Sequence, residues 1–513
     1  MSVITILKKF AYKSPNFLSF LLKRLNPSRL ERLSRHRVLK TFRRAADRVP
    51  AYRDMLKEHG VDPGRIRTFE DFQRMVPVID KKSYVLPHQD TIERLCIGGD
   101  LKDVALVMTS SGYSGNPTYW FRSKAEIDAV ALGYNYGFRK YYRYHRRHTL
   151  VLNCLYIGIY IAGFRFAQAV THIGRRDTIL ANPGIDFEMA LNVLKKLHKH
   201  CEQILLVGFP PFLKALVEKA IASGIPLDKK IVHIATGGEG FSEAWRTYIA
   251  KLLKIDFDNS ETGTILSNFG AADVDLNMFF ETPDTIWLRR LAATNDKFRE
   301  MVFGNVRTLP MFFQYFPLQI YVENDSDEEG KEGGLILTTS STESTMPLIR
   351  YNIHDLGRTI PFDRVMKALR ACGLDGQRQF FHLPFVTVVG RESSISFNGV
   401  NIYPEYIQDA LFHETGIADR LTGQFHINIK SPDGVNQQIA IEMQMREPYE
   451  PEDAFREKCE NLIHKKLQTT GEYREGIQKV FGDEMRPHVL LYAHDSYPYY
   501  EPNRIKTSYH ARQ

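Results

Sequence analysis

Met108-Thr109-Ser110-Ser111-Gly112-Tyr113-Ser114-Gly115-Asn116-Pro117-Thr118 is the stretch around which the chain is organised. It follows a short apolar run, Val104–Met108, that reads as a strand. Hydroxyl residues then alternate with glycine, and Pro117 closes the turn. Glycine lets backbone N–H groups converge on an anion, and small hydroxyls add donors at little steric cost. Ser110, Ser111, Gly112, Ser114, Gly115 and Asn116 are therefore candidate phosphate-binding residues. The loop lacks the Gly-Lys-Ser/Thr ending of a Walker A loop, which sets that reading aside. Taken alone, a Ser/Gly loop is more often a plain turn.

Working outward, 513 residues are too many for one core, and 43% hydrophobic with 25% charged residues is the balance of a soluble globular protein of two or more domains. The five cysteines, Cys96, Cys154, Cys201, Cys372 and Cys459, are scattered. No pair has metal-ligand or redox spacing, and a cytoplasmic setting is expected. Near the N-terminus Lys8, Lys9, Lys13, Lys23 and Arg24 interrupt every apolar run, so no cleaved signal is expected. The net charge of +8 is concentrated between Lys23 and Arg48, where ten basic residues meet only Glu31 and Asp47. That pattern reads as a solvated helical face, with a peripheral contact to anionic lipid or an acidic carrier protein as the competing reading. No nucleic-acid motif accompanies it, and no nucleic-acid partner is expected.

Apolar spacing predicts helix over Leu21–Glu58, broken near Pro50, and again over Phe69–Met75. From about Val104 to Thr339 strands (Thr149–Asn153, Gln203–Val207, Lys230–Ala235) alternate with helices (Phe187–His200, Pro211–Ser223, Ser242–Lys254). That rhythm predicts an α/β unit with much parallel sheet. Phe316–Thr339 reads as a hairpin turning at Asp325–Gly334. After Arg391 a helix near Pro404, alternating strands Phe425–Ile429 and Gln438–Met445, a helix Pro451–Leu467 and a strand Val489–Ala493 predict a small α+β domain. The expected division is 1–391, with a helical leading region over 1–100, and 392–513.

Four stretches carry a resemblance. The first is the Ser110–Pro117 loop. The second is Thr236-Gly237-Gly238-Glu239-Gly240, followed by Ile255-Asp256-Phe257-Asp258-Asn259-Ser260-Glu261-Thr262-Gly263. The third is Met346-Pro347-Leu348-Ile349-Arg350-Tyr351-Asn352-Ile353-His354-Asp355-Leu356-Gly357-Arg358. The fourth is Val389-Gly390-Arg391-Glu392-Ser393-Ser394, leading to Asn398–Pro404. In this order they resemble the core motifs of the adenylate-forming enzymes, with phenylacetate–coenzyme A ligase and its capsular-biosynthesis-type relatives as the closest branch. The flanks Arg48–Arg53 and Pro77–Lys81 are similar as well, so the resemblance spans almost the whole chain.

The resemblance implies a large nucleotide-binding domain and a small mobile C-terminal domain. It further implies ATP-dependent activation of a carboxylic acid, aryl or fatty, to an acyl-adenylate. Transfer to the thiol of coenzyme A or of an acyl carrier protein would follow. Glu261, in a polar loop after the strand-like Ile255–Phe257, suits a Mg²⁺ ion beside the α-phosphate. Phe257, Asp258, Asn259 and Ser260 would border the nucleotide, and Gly237, Gly238 and Glu239 would lie along adenine. Asp355 suits the ribose hydroxyls. Arg391 would bridge ribose and phosphate through its planar fork. The acid would lie beside Tyr156, Gly158 and Tyr160, with Gly208 and Phe209 as another wall.

Several positions depart from the family pattern. Asn116 stands where Lys precedes Pro, Phe257-Asp258 where aromatic-Gly is usual, His354 where Gly precedes Asp355, and Ser393 where the hinge Asp falls. In strict register Asn503 occupies the place of the adenylation Lys of the tail, which leaves Lys506 as the candidate catalytic cation, with Arg504 beside it. The competing expectation is a catalytically degenerate relative that binds nucleotide or acyl groups, or acts as a scaffold, without ligase chemistry.

Overall fold

The computed structural model describes residues 14–110, 118–157, 161–173, 177–238, 240–304, 306, 309–326, 331–341, 343–391, 395–397, 400–402, 406–407, 410–411, 415–431, 437–470, 473–474, 477, 482–494 and 496. The leading region is helical: α1 (Pro15–Leu22), α2 (Pro27–Arg48), α3 (Pro50–Glu58) and α4 (Phe69–Met75). Each of the first three begins with Pro at its first position, where the missing N–H costs nothing. Along α2 the buried residues Leu30, Ser34, Val38, Thr41, Phe42 and Ala45 recur every three or four positions. The opposite face carries the basic residues, and part of that charge is used internally. Arg35 pairs with Glu31 at 2.9 Å, and Arg44 donates to the Ser344 carbonyl at 3.2 Å.

The antiparallel pair β1 (Leu106–Ser110) and β2 (Thr118–Arg122) leads into α5 (Lys124–Lys140), which starts on a Ser123/Glu126 capping box. The α/β alternation follows as expected: β3 (Thr149–Cys154), α6 (Ile161–Ile173), β4 (Thr178–Ala181), α7 (Phe187–Leu197), β5 (Gln203–Gly208), α8 (Pro210–Ala222), β6 (Ile231–Thr236), α9 (Glu243–Leu253) and β7 (Gly263–Ala271). Strands β3, β5 and β6 are buried almost throughout, as strands covered by helices on both faces must be.

The chain then turns antiparallel through β8 (Asp275–Phe280), α10 (Pro283–Thr294), α11 (Asp296–Phe303), β9 (Met311–Tyr315), β10 (Ile320–Asn324), β11 (Gly333–Thr339), β12 (Tyr351–Ile360), α12 (Phe362–Ala371) and β13 (Phe385–Arg391). One eleven-stranded sheet results, in the order β10-β11-β12-β13-β9-β8-β7-β6-β5-β3-β4. Its β4-β3-β5-β6-β7 part is parallel and the remainder antiparallel. The fold is α/β with a large mixed sheet, as the sequence predicts.

After Arg391 come β14 (Ile395–Phe397), β15 (Val400–Ile402), β16 (Leu421–Lys430), β17 (Gln438–Met445), α13 (Asp453–Gln468) and β18 (His488–Tyr492). Strands β16, β17 and β18 form a separate sheet whose hydrophobic cluster includes Phe425, Ile441, Phe455 and Ile463.

One local expectation fails. Ile255–Phe257 is not a strand: α9 ends with Lys254 in the left-handed region (φ 55°), and Ile255 turns inward. Residues 256–262 then form a tight turn in which Thr262 Oγ1 accepts the Asp256 N–H at 2.8 Å. The strand begins only at Gly263.

Candidate active site

In a parallel sheet, ligands are held in the crevice outside the carboxyl ends of the strands. Here that edge is a row of partners, Cys154–Gly208–Thr236–Ser267, running across β3, β5, β6 and β7. Gly237 and Gly238 follow Thr236 directly. Gly238 has φ 80°, and a Cβ there would meet the Phe209 ring at 2.7 Å, so this turn requires glycine. Gly208 and Phe209 sit at the matching end of β5, and the Phe209 ring lies 5.5 Å from that of Tyr156. Tyr156 also packs against the C-terminal hydrophobic cluster.

Two further segments meet this edge. The β7–β8 turn, residues 271–275, is tied to β2 through Arg122, whose Nη2 donates to the carbonyls of Asp273 (3.0 Å) and Val274 (2.5 Å). Strand β12 begins at Tyr351, whose hydroxyl donates to the Asp273 carboxylate at 2.6 Å and whose ring packs edge-on to Trp120. Tyr351, Ile353 and Asp355 share the buried face of β12, and Asp355 is 5% exposed. Its backbone partner is Arg391 at the end of β13. His354 adopts φ 59°, the conformation for which the resemblance expects Gly, and its Nε2 lies 3.0 Å from Asp80 Oδ2. Burial raises the Asp80 pKa, but the Ser83 N–H and hydroxyl and His354 outweigh it and leave the carboxyl below its ordinary value.

A cavity of about 250 Å³ reaches Gly237 and Gly238 and lies between α5 and the sheet. Its walls are mostly apolar and rich in aromatic rings, including Tyr134, Phe138, Phe166, Phe209 and Phe280, with Asn268, Glu281 and Gln319 as polar exceptions.

No family model matches the chain. Phenylacetate–coenzyme A ligase of Thermus thermophilus is 22% identical over 396 residues, 76% of this chain and 77% of that protein. Among solved structures, a 2-hydroxyisobutyryl-CoA ligase in complex with 2-HIB-AMP and CoA, in the thioesterification state, superposes with TM-score 0.60 at 18% identity, over 94% of this chain and 90% of that one. An open conformation of that ligase, also with 2-HIB-AMP and CoA, gives 0.52 at 17% identity, over 94% and 91%. The chain has the fold of the adenylate-forming CoA ligases.

Within this adenylate-forming fold the sequence-predicted residues separate into three groups. Gly237, Gly238, Gly208, Phe209, Tyr156 and Asp355 are described, and all but Asp355 stand at the carboxyl edge of β3, β5 and β6. The backbones of Ser110 and Arg391 end β1 and β13. Ser111, Gly112, Ser114, Gly115, Asn116, Gly158, Tyr160, Glu239, Arg504 and Lys506 lie outside the described residues.

The third group is displaced. Glu261 precedes Gly263, the partner of Val232 at the amino end of β6, so it stands at the opposite edge of the sheet. From Gly263 to Ser267 alone is roughly 13 Å of strand. Glu261 is held by Arg143 and Arg147. Ser260 accepts from Arg143 at 3.3 Å, Asp258 pairs with Arg378, Asn259 bridges to Asp256, and Phe257 lies under Arg290 at 4.3 Å. These five residues make structural contacts away from the candidate site.

The carboxyl end of β7 instead reads Phe269-Gly270-Ala271-Ala272-Asp273. The aromatic-Gly pair missed at Phe257-Asp258 is there, followed three residues on by an acid. A strand pattern over Gly263–Ala271 was the signal that would have found it.

Proposed function

We propose that the chain activates a carboxylic acid with ATP to an acyl-adenylate and transfers the acyl group to a thiol, that of coenzyme A or, as an alternative acceptor, of a carrier protein. The observation that carries this reading is the meeting of the Gly237-Gly238 turn, Asp273 and the start of β12 at one edge of the sheet, beside an apolar cavity. Strand β2, paired with β1 from Arg122 to Thr118, is anchored to the same edge by Arg122 and Trp120, which supports assigning phosphate binding to the stretch between the two strands.

We assign the ribose hydroxyls to Asp355 and the edge of adenine to Gly237 and Gly238. The acidic residue for Mg²⁺ is Asp273 rather than Glu261. Mg²⁺ is commonly held by one or two carboxylates plus substrate phosphates, so a single carboxylate fits, and Tyr351 fixes the orientation of Asp273. When bound with ATP the ion would neutralise the charge that builds as pyrophosphate departs. The chain's own residues position the two substrates and exclude water: Phe209 lines the cavity, Tyr156 packs on the Phe209 ring, and Tyr156 packs in turn against the C-terminal cluster. The small domain, with its boundary after Arg391, rotates between the half-reactions in this reading. The adenylation cation comes from Lys506, because Asn116 and Asn503 bring no charge.

The five free cysteines favour a reducing, cytoplasmic setting. A peripheral contact with an anionic surface is favoured by Phe17, Phe20 and Leu21, exposed beside basic α2, and vesicle co-sedimentation at low and high salt tests it. Truncation after Pro498 tests the role of the tail: acyl-adenylate formation is lost while AMP binding survives. Unchanged pyrophosphate exchange would remove the tail from adenylation. AMP binding without exchange for any acid would favour the degenerate reading.

A further inference from the structure

The cavity runs further than the mouth requires. Its lining extends from Gly133 on α5 to Tyr141 just past the end of that helix, eight residues or about 12 Å at a helical rise. The far end is lined by Leu18 and Leu22 of α1 with Phe381 and Leu383, beside the exposed Gln319. At the mouth Thr236 is 3% exposed, and its hydroxyl has no hydrogen-bond partner among the described residues. An unpaired buried hydroxyl is costly, so this end suits a polar group and the remainder an apolar one.

Helix α5 carries two interior glycines, Gly133 and Gly137, one turn apart, and both line the cavity. Glycine weakens a helix interior and is usually tolerated there for close packing. Here packing gives no reason: among the described residues a Cβ at either position would meet nothing within 4 Å. What the two glycines leave is volume in the cavity. At roughly 30 Å³ per water-sized group, about 250 Å³ holds of the order of eight methylene-sized groups in a row.

We infer that the acid is a straight-chain fatty acid of medium length, lying along α5 with its carboxylate at Thr236 and Gly237 and its methyl end at Leu18 and Leu22. Gly133 and Gly137 set the length accepted. This inference rests on the ligase reading for its chemistry but on the cavity alone for its occupant. A compact aryl acid such as phenylacetate would leave the distal half empty, whereas each methylene buried strengthens binding roughly fourfold.

The test uses the full chain. Binding of straight-chain acids from acetate to hexadecanoate, and of phenylacetate, is measured by calorimetry, and ATP–pyrophosphate exchange is followed with the same panel. Affinity and exchange should rise severalfold per added methylene, peak near octanoate or decanoate and then fall. Gly137→Leu should move the peak to shorter acids and weaken decanoate more than tenfold. Gly137→Ala should raise the melting temperature, which separates the length effect from misfolding. Decanoate binding that Gly137→Leu removes, with no exchange for any acid, would uphold the cavity assignment and defeat the ligase reading. Exchange with phenylacetate or acetate but neither binding nor exchange with decanoate would overturn the inference and leave the ligase standing. So would a length profile unchanged by Gly137→Leu.

Discussion

The Tyr351 hydroxyl donates to the Asp273 carboxylate at 2.6 Å, joining the first residue of β12 to the turn after β7. This bond links two motifs distant in sequence and puts an oriented carboxylate at the edge of the sheet where the cavity opens. Asp273→Asn should therefore cut Mg²⁺-dependent exchange by about a hundredfold or more, the scale of losing a main electrostatic contact in the transition state. Tyr351→Phe keeps the ring against Trp120, and should cost about tenfold in exchange with about 1 kcal/mol of stability. Equal activity of Asp273→Asn and wild type across a Mg²⁺ titration would remove the assignment.

Glu261→Gln should leave exchange near the wild-type rate. It loosens the pairing with Arg143 and Arg147, a partly exposed contact worth about 1 kcal/mol or less. Steady-state exchange beside a thermal melt separates the two effects. A large loss of activity without unfolding would return Glu261 to the site.

The contrast between these two acids marks how far the sequence could be read. The α/β alternation was legible because β3, β5 and β6 are continuous apolar runs between amphipathic helices, and the pairing of β16 with β17 because both sequences alternate and Ser-Pro-Asp-Gly between them is turn-forming in sequence. The Gly237-Gly238 pair was legible through the resemblance, and the structure supplies the reason for the second glycine: a Cβ at Gly238 would meet the Phe209 ring. The acid before Gly263 was misplaced because Ile255-Asp256-Phe257 has the look of a strand end. Its apolar side chains in fact serve the end of α9 and the packing under Arg290. The long cavity was not legible, since glycine inside a helix gives no sign in sequence of facing empty space. The Thr236 hydroxyl is likewise defined only by what fails to approach it.

Buried Arg246 makes a two-point contact with Glu281, at 2.7 and 3.0 Å, and Glu281 also accepts the Ser267 N–H at 2.8 Å. Burial raises the Glu281 pKa and Arg246 opposes it. Arg246→Met leaves that carboxylate buried beside an apolar side chain, at a cost of about 3–5 kcal/mol. Chemical denaturation should show this as a lowered midpoint. A variant as stable as wild type would contradict it.

His233 lies inside β6 with Nδ1 3.0 Å from Thr264 Oγ1. Burial, helped by Arg147 and Arg143, pulls its pKa from 6.5 to about 3. As pH falls the unfolded chain takes up this proton first. The contribution is thus complete above about pH 6.5 and is lost progressively toward pH 3, by up to about 1.4 kcal/mol per pH unit. Unfolding free energies from pH 7 to 4 should slope this way in wild type and less in His233→Gln. Parallel slopes would exclude the role.

ATP–pyrophosphate exchange across a panel of carboxylic acids, run on the full chain and on Asp355→Ala, tests the central claim most directly. The account predicts exchange that requires both an acid and Mg²⁺. It also predicts that Asp355→Ala weakens AMP binding at least tenfold and lowers exchange with it, because in the proposed reading the buried Asp355 carboxylate would hold the ribose hydroxyls. Absence of exchange with every acid, or equal exchange and AMP affinity in the two proteins, would contradict it.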